Sequence, residues 1–144
     1  MNEFMEKAFK EAQKAYDIDE VPVGAVIVKD GRIIAKAHNL REKKCMATAH
    51  AEIICIEKAC KKLKNWRLDE CELYVTLEPC LMCTGAIIQA RIKKVFFGAV
   101  DPKNGCLQTL KNSMDSNKIE YEYIECNKCS EILKNFFKDL RKKR

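Results

Sequence analysis

A chain of 144 residues has the size of one domain, so residues 1–144 are expected to form a single unit. Apolar residues make up 47% and charged residues 33%, with only 5 Gly and 3 Pro, which excludes a disordered, low-complexity or collagen-like chain. The net charge is +6, no apolar run approaches the roughly 20 residues of a membrane span, and Met1–Lys7 lacks an apolar signal core, which points to a cytoplasmic chain without membrane attachment.

Asn2 is placed to cap a first helix, whose stripe is Phe4, Met5, Ala8, Phe9, Ala12, Ala15 and Tyr16. A polar break over 17–22 follows. Val23–Val28 and Ile33–His38 read as two strands joined at Lys29-Asp30-Gly31-Arg32, where Asp-Gly signals an antiparallel hairpin. Asn39–Ala47 is a polar, basic loop. A second helix begins at Thr48 or Ala49, with Ala51, Ile54, Cys55, Lys58 and Ala59 roughly on one side. The stretch 61–70, holding the only tryptophan, Trp66, connects it to a strand over Glu72–Thr76. Glu78-Pro79 ends that strand, Pro suits the first helical position, and Cys80–Arg91 is a third helix. Val95–Gly98 is a short buried strand. Asp101–Gly105 opens a long polar loop, Ile119–Ile124 alternates as a strand, and a last helix from Asn127 carries Ile132, Leu133, Phe136, Phe137 and Leu140. Helix–strand alternation after a hairpin predicts a three-layer α/β/α domain around a mixed five-stranded sheet.

Nine cysteines and two histidines, His38 and His50, set the chemistry. An odd count in a chain without a secretion signal favours reduced thiols or metal ligands over a disulfide framework. Two segments stand out: Thr48-Ala49-His50-Ala51-Glu52 and Glu78-Pro79-Cys80-Leu81-Met82-Cys83. Cys-x-x-Cys at a helix start aims two sulfurs at one point, and the helix N-terminus favours the thiolate. His50, Cys80 and Cys83 together make three zinc ligands, which leaves the fourth tetrahedral position for water, as in catalytic sites. Zinc brings the pKa of such a water to near neutrality and yields a hydroxide nucleophile. Residues i and i+2 do not share a helix face, so Glu52 is expected one shell out from the metal, as a proton carrier. His-x-Glu followed by Pro-Cys-x-x-Cys is a known signature of zinc nucleobase deaminases, and the match is one of recognition. The second pair, Cys126-Asn127-Lys128-Cys129, has no matching second motif among Cys45, Cys55, Cys60, Cys71, Cys106 and His38, so it reads as free thiols starting the last helix. Residues 128–144 hold seven basic side chains against two acidic ones, nearly the whole charge excess, which suits a polyanion.

Val21-Pro22-Val23-Gly24-Ala25-Val26, His50-Ala51-Glu52, Tyr74–Ala86 and Phe97-Gly98-Ala99-Val100-Asp101 resemble the bacterial tRNA adenosine deaminases over nearly the whole chain. The resemblance implies a cytidine deaminase-like fold and a homodimer. It also implies conversion of adenosine to inosine at the wobble position of a tRNA anticodon stem-loop. It puts one zinc ion per subunit on His50, Cys80 and Cys83, with Glu52 shuttling protons. It further implies substrate contacts at Asn39, Ala51, Asp101, Lys103, Phe137, Lys138 and Arg141. Where the family usually has Asp-Pro before the His segment, this chain has Met46-Ala47. Two rival readings are a deaminase of a free base or nucleoside, of the guanine or cytosine type, and a non-catalytic RNA-binding module with a closed structural zinc.

Overall fold

The computed structural model describes residues 2–105 and 119–143. The expected loop beyond Gly105, with Cys106, falls mostly outside the described residues. Helix α1 (Glu3–Asp17) starts as expected: the Asn2 carboxamide oxygen accepts the Phe4 and Met5 amides at 2.8 and 3.1 Å. Strands β1 (Gly24–Lys29) and β2 (Arg32–His38) form the hairpin. Asp30 and Gly31 both take the positive φ that its two-residue turn demands. β3 (Cys71–Val75) pairs antiparallel with the other edge of β1. β4 (Lys94–Phe97) and β5 (Glu120–Tyr123) extend the sheet in parallel, giving the order β2-β1-β3-β4-β5.

Alternation along the central strands divides the core into two layers. Ala25, Ile27, Leu73, Val75 and Val95 face α3 (Ala51–Leu63) and α4 (Leu81–Ala90). Val26, Val28, Tyr74 and Phe96 face α1 and α5 (Asn127–Lys142). Tyr74 and Phe96 stack there with ring centroids 4.4 Å apart. Each fully buried Leu, Ile or Val is worth roughly 1.5–3 kcal/mol, so both layers anchor the sheet. The mixed sheet between two helical layers is the predicted architecture. Gly24 lets α1 lie directly on β1: a Cβ there would overlap the Ala8 carbonyl oxygen and sit 2.5 Å from the Ala12 nitrogen.

The departures from expectation lie around the ends of β2 and β3. The loop after Asn39 contains a one-turn helix, α2 (Arg41–Lys44). Its N-cap residue, Leu40, supplies no side-chain cap, and the amides are taken instead by the Asn39 and Glu20 side chains. A carboxylate that reaches these amides from 22 and 23 residues upstream leaves no local sequence signal. Helix α3 starts at Ala51, two or three residues later than expected, because His50 is its N-cap with extended backbone (φ −77°, ψ 155°). Cys80 is likewise the N-cap of α4, so Pro79 precedes the helix rather than opening it. α3 is capped at its C-terminus by Lys64 and α4 by Arg91, both left-handed non-glycine residues (φ 53° and 65°), hence the missing glycine stop signal.

Candidate functional site

The chain leaving β2 and the chain leaving β3 each run into a helix N-terminus, and these two starts meet. His50 Nδ1 lies 3.7 Å from Cys80 Sγ and 3.5 Å from Cys83 Sγ, and all three donor atoms lie within 4.8 Å of one another. A tetrahedral zinc with bonds of about 2.05 Å to nitrogen and 2.3 Å to sulfur spaces its ligands about 3.6–3.8 Å apart. The donor set and its spacing therefore fit a metal ion of that kind. Among the described residues no fourth His, Cys, Asp or Glu joins the group. Cys83 is buried, whereas His50 and Cys80 are half-buried, so the group is closed from behind and open in front.

The two thiols are polarised in opposite directions. Hydrogen bonding to Cys83 and His50 pulls the Cys80 thiol down to about 3, against an ordinary 9.0. The same bond to Cys80, with burial, pushes the Cys83 thiol up, so in the metal-free pair Cys80 carries the negative charge. The hydrogen bond to Cys80 raises His50. Glu52 stands beside the group without joining it. It is 4% exposed, and burial raises its carboxyl to about 7.

In front of the group lies an open cavity of about 1040 Å³, at the upper end of the usual range for small-molecule pockets. Asn39, Ala51, Asp101, Lys103 and Phe137 all line it together with His50, Glu52 and Cys80. The sequence-predicted residues from five separate segments thus converge. Lys138 and Arg141 do not line the cavity; both are exposed on α5. Asn39 is buried and held at both ends: its Nδ2 donates to the Val21 carbonyl at 3.3 Å and its Oδ1 accepts the Arg41 amide at 3.1 Å. The Asp101 carboxylate is engaged in its own turn, where Oδ1 accepts the Lys103 and Asn104 amides at 3.2 and 3.0 Å. Of the adjacent aromatics, Phe136 is core, set edge-on to Tyr16, and Phe137 is 42% exposed on the cavity side.

Two wall residues were missed in the sequence. Arg41 stands two residues after Asn39 and lines the cavity. Glu78 is 7% exposed, and its Oε1 accepts the Asp101 amide at 3.0 Å, tying the loop after β4 to the start of α4. Glu78's position in the Glu-Pro-Cys run was the available signal, and it was read only as the end of a strand.

Residues 1–141 match the MafB19-like deaminase family. A tRNA-specific adenosine deaminase from Bacillus subtilis (strain 168) is 48% identical over 146 residues, covering 98% of this chain and 91% of that protein. The chain belongs to this deaminase family. A solved structure from work on A-to-I editing by tRNA:A34 deaminases at the wobble position of transfer RNA superposes with a TM-score of 0.82 at 43% identity, over 90% of this chain and 98% of that one. A guanine deaminase from Bacillus subtilis is also similar, with a TM-score of 0.67 at 34% identity over 99% and 95% of the two chains. The chain is thus similar both to tRNA adenosine deaminases and to a guanine deaminase. Elsewhere in this deaminase, Cys126 is the N-cap of α5 and its Sγ accepts the Cys129 amide at 3.3 Å. Both thiols are free and buried against Gly98, and neither joins a three-donor group among the described residues. No helix among the described residues is long and apolar enough to cross a membrane.

Proposed function

We propose that this protein is a zinc-dependent deaminase that converts adenosine to inosine at the wobble position of a tRNA anticodon. The observation that carries this reading is the three-donor group with one buried carboxylate at the floor of an open cavity, in a chain 48% identical to a tRNA-specific adenosine deaminase. The family match over 1–141 supports reading 1–144 as one catalytic domain. Zinc held by His50, Cys80 and Cys83 supplies Lewis-acid activation of water.

The remaining chemistry belongs to the side chains. Water adds at C6 of adenine and ammonia leaves, so one group must take a proton and return it. Glu52 is that group: it lines the cavity, lies beside the donors, and is shielded from bulk water. Asn39 presents its clamped carboxamide to the base, and Ala51 lines the cavity with a side chain too small to obstruct it. Phe137 offers an exposed ring for stacking, worth about 1–3 kcal/mol per base. Asp101 shapes the loop that carries Lys103 to the rim. Lys138 and Arg141, outside the cavity on α5, meet phosphates farther along the RNA, so affinity falls steeply with salt. The tRNA substrate puts the enzyme in the cytoplasm. Exposed Met46 (52%) and Leu81 (63%), beside the site, support a homodimer.

The guanine deaminase similarity favours one second reading, deamination of a free base. The test is to incubate zinc-loaded protein separately with an anticodon stem-loop, adenosine, guanine and cytosine. Inosine at the wobble position alone is expected. Deamination of guanine with untouched RNA overturns the proposal.

A further inference from the structure

The buried carboxylate of Glu20 has no role in the chemistry above, yet it is among the most enclosed polar groups in the molecule, 1% exposed. It makes no ion pair among the described residues. Both oxygens instead meet backbone amides of α2: Oε1 accepts from Glu42 at 3.0 Å and Oε2 from Lys43 at 2.7 Å. The third amide of that turn, from Arg41, goes to Asn39 Oδ1 at 3.1 Å. Asn39 Nδ2 then returns to the carbonyl of Val21, the residue after Glu20. The segment 20–21 and the turn 39–43 are thus clasped in both directions.

We propose that Glu20 is a positioning residue that fixes α2, and through it Arg41 and Asn39, at the mouth of the cavity. The physical reason is that α2 cannot fix itself. Four residues are far too few for a self-sustaining helix, and its N-cap, Leu40, provides no side-chain acceptor. A flexible cap would let the turn fray. A buried carboxylate rooted just beyond α1 ties it to the rigid core. Arg41 and Asn39 both line the cavity, so the clasp governs how substrate is gripped and not how the metal donors are held. The inference rests on the reading of an anticodon RNA as the substrate.

The experiment uses the zinc-loaded full chain. Glu20→Gln keeps the shape but sets an NH₂ against one of the two amides. Hydrogen exchange at Glu42 and Lys43 should quicken about tenfold or more, with the central strands unchanged. The KM for a stem-loop should rise roughly tenfold with kcat within about threefold, and Glu20→Asp should be intermediate. Arg41→Ala should raise KM similarly, and the double variant should fall well short of the product of the two single effects, the non-additivity expected of residues that act partly through one another. Unchanged exchange at 42 and 43, multiplicative KM effects, or a parallel loss of zinc and kcat overturns the proposal. If Glu20→Gln does not fold, Glu20→Asp carries the same readouts. If the wild type leaves the stem-loop unmodified, the substrate reading fails, while exchange at 42 and 43 still decides the clasp.

Discussion

Neutralising Glu11 is the sharpest test of the electrostatics behind the site. Glu11 is 5% exposed on the inner face of α1; it accepts from Lys14 Nζ at 2.7 Å and pairs with His38 Nδ1 at 3.0 Å, one residue before Asn39. Burial by itself pushes its carboxyl up, but the hydrogen bonds to His38 and Lys14 outweigh burial and hold it at about 2, against an ordinary 4.5. The folded pKa is depressed, so the ionised form stabilises the fold above about pH 4.5, and that contribution is lost as pH falls toward about 2. At 1.36 kcal/mol per unit, the difference sets an upper bound of about 3.4 kcal/mol. Lys14 is 58% exposed, and screening of that partner brings the expectation to about 1–2 kcal/mol. The assay is urea unfolding of wild type and Glu11→Gln at pH 7, 4.5 and 3, comparing the two proteins at each pH so that shared titrations cancel. The Gln variant should be less stable at pH 7, and the gap should shrink to less than half by pH 3. A gap that is constant with pH, or below about 0.5 kcal/mol at pH 7, would refute the argument.

Three further outcomes are expected. Glu52→Gln should lower kcat by about 10²–10⁴ while the zinc content measured by atomic absorption stays at one per chain; retention of activity would remove Glu52 from the reaction. Phe137→Ala should weaken stem-loop binding by about 1–3 kcal/mol in a filter-binding titration, and Phe136→Ala should instead lower the melting temperature, because only the first ring faces the cavity. Gly24→Ala forces a methyl into α1 backbone and should cost about 3 kcal/mol, read as a fall of roughly 6–12 °C in melting temperature; a shift under 2 °C would mean that α1 can slide.

Much of this molecule is legible residue by residue. Alternating β-branched runs and the Asp30-Gly31 turn located the hairpin, because side-chain period and turn chemistry are local properties. The stripe of α1 and its Asn2 cap are equally local. The metal donors were readable because two helix starts each carry their ligands within four residues. What stayed hidden depends on partners far apart in the chain. α2 exists because Glu20 and Asn39 serve its amides. Glu78 matters because it receives the Asp101 amide across 23 residues. The cavity residues Asn39, Lys103 and Phe137 came from the family resemblance; their convergence on one cavity is a property of the sheet order, not of any segment.

The late start of α3 shows how the site is built against local preference. Helix N-caps favour Ser, Thr, Asp or Asn, whose oxygen takes a free amide, and loss of such a cap costs about 1 kcal/mol. Asn2 caps α1 in this way, and the Cys126 sulfur does so weakly for α5. At α3 and α4 the cap positions are held by His50 and Cys80, and neither makes a side-chain cap bond. Both side chains turn away from their own helix and toward each other. Two neighbouring helices that forgo the same stabilisation at the same end, where their cap side chains come within 3.7 Å, point to a demand other than folding. A group that could hold a metal fits that demand: the extended backbone that a cap position requires aims the side chain outward from the helix start, and the partial positive charge of two helix N-termini favours a sulfur held as thiolate. Moving either donor one residue into its helix would free the cap position for a conventional capping residue and destroy the convergence.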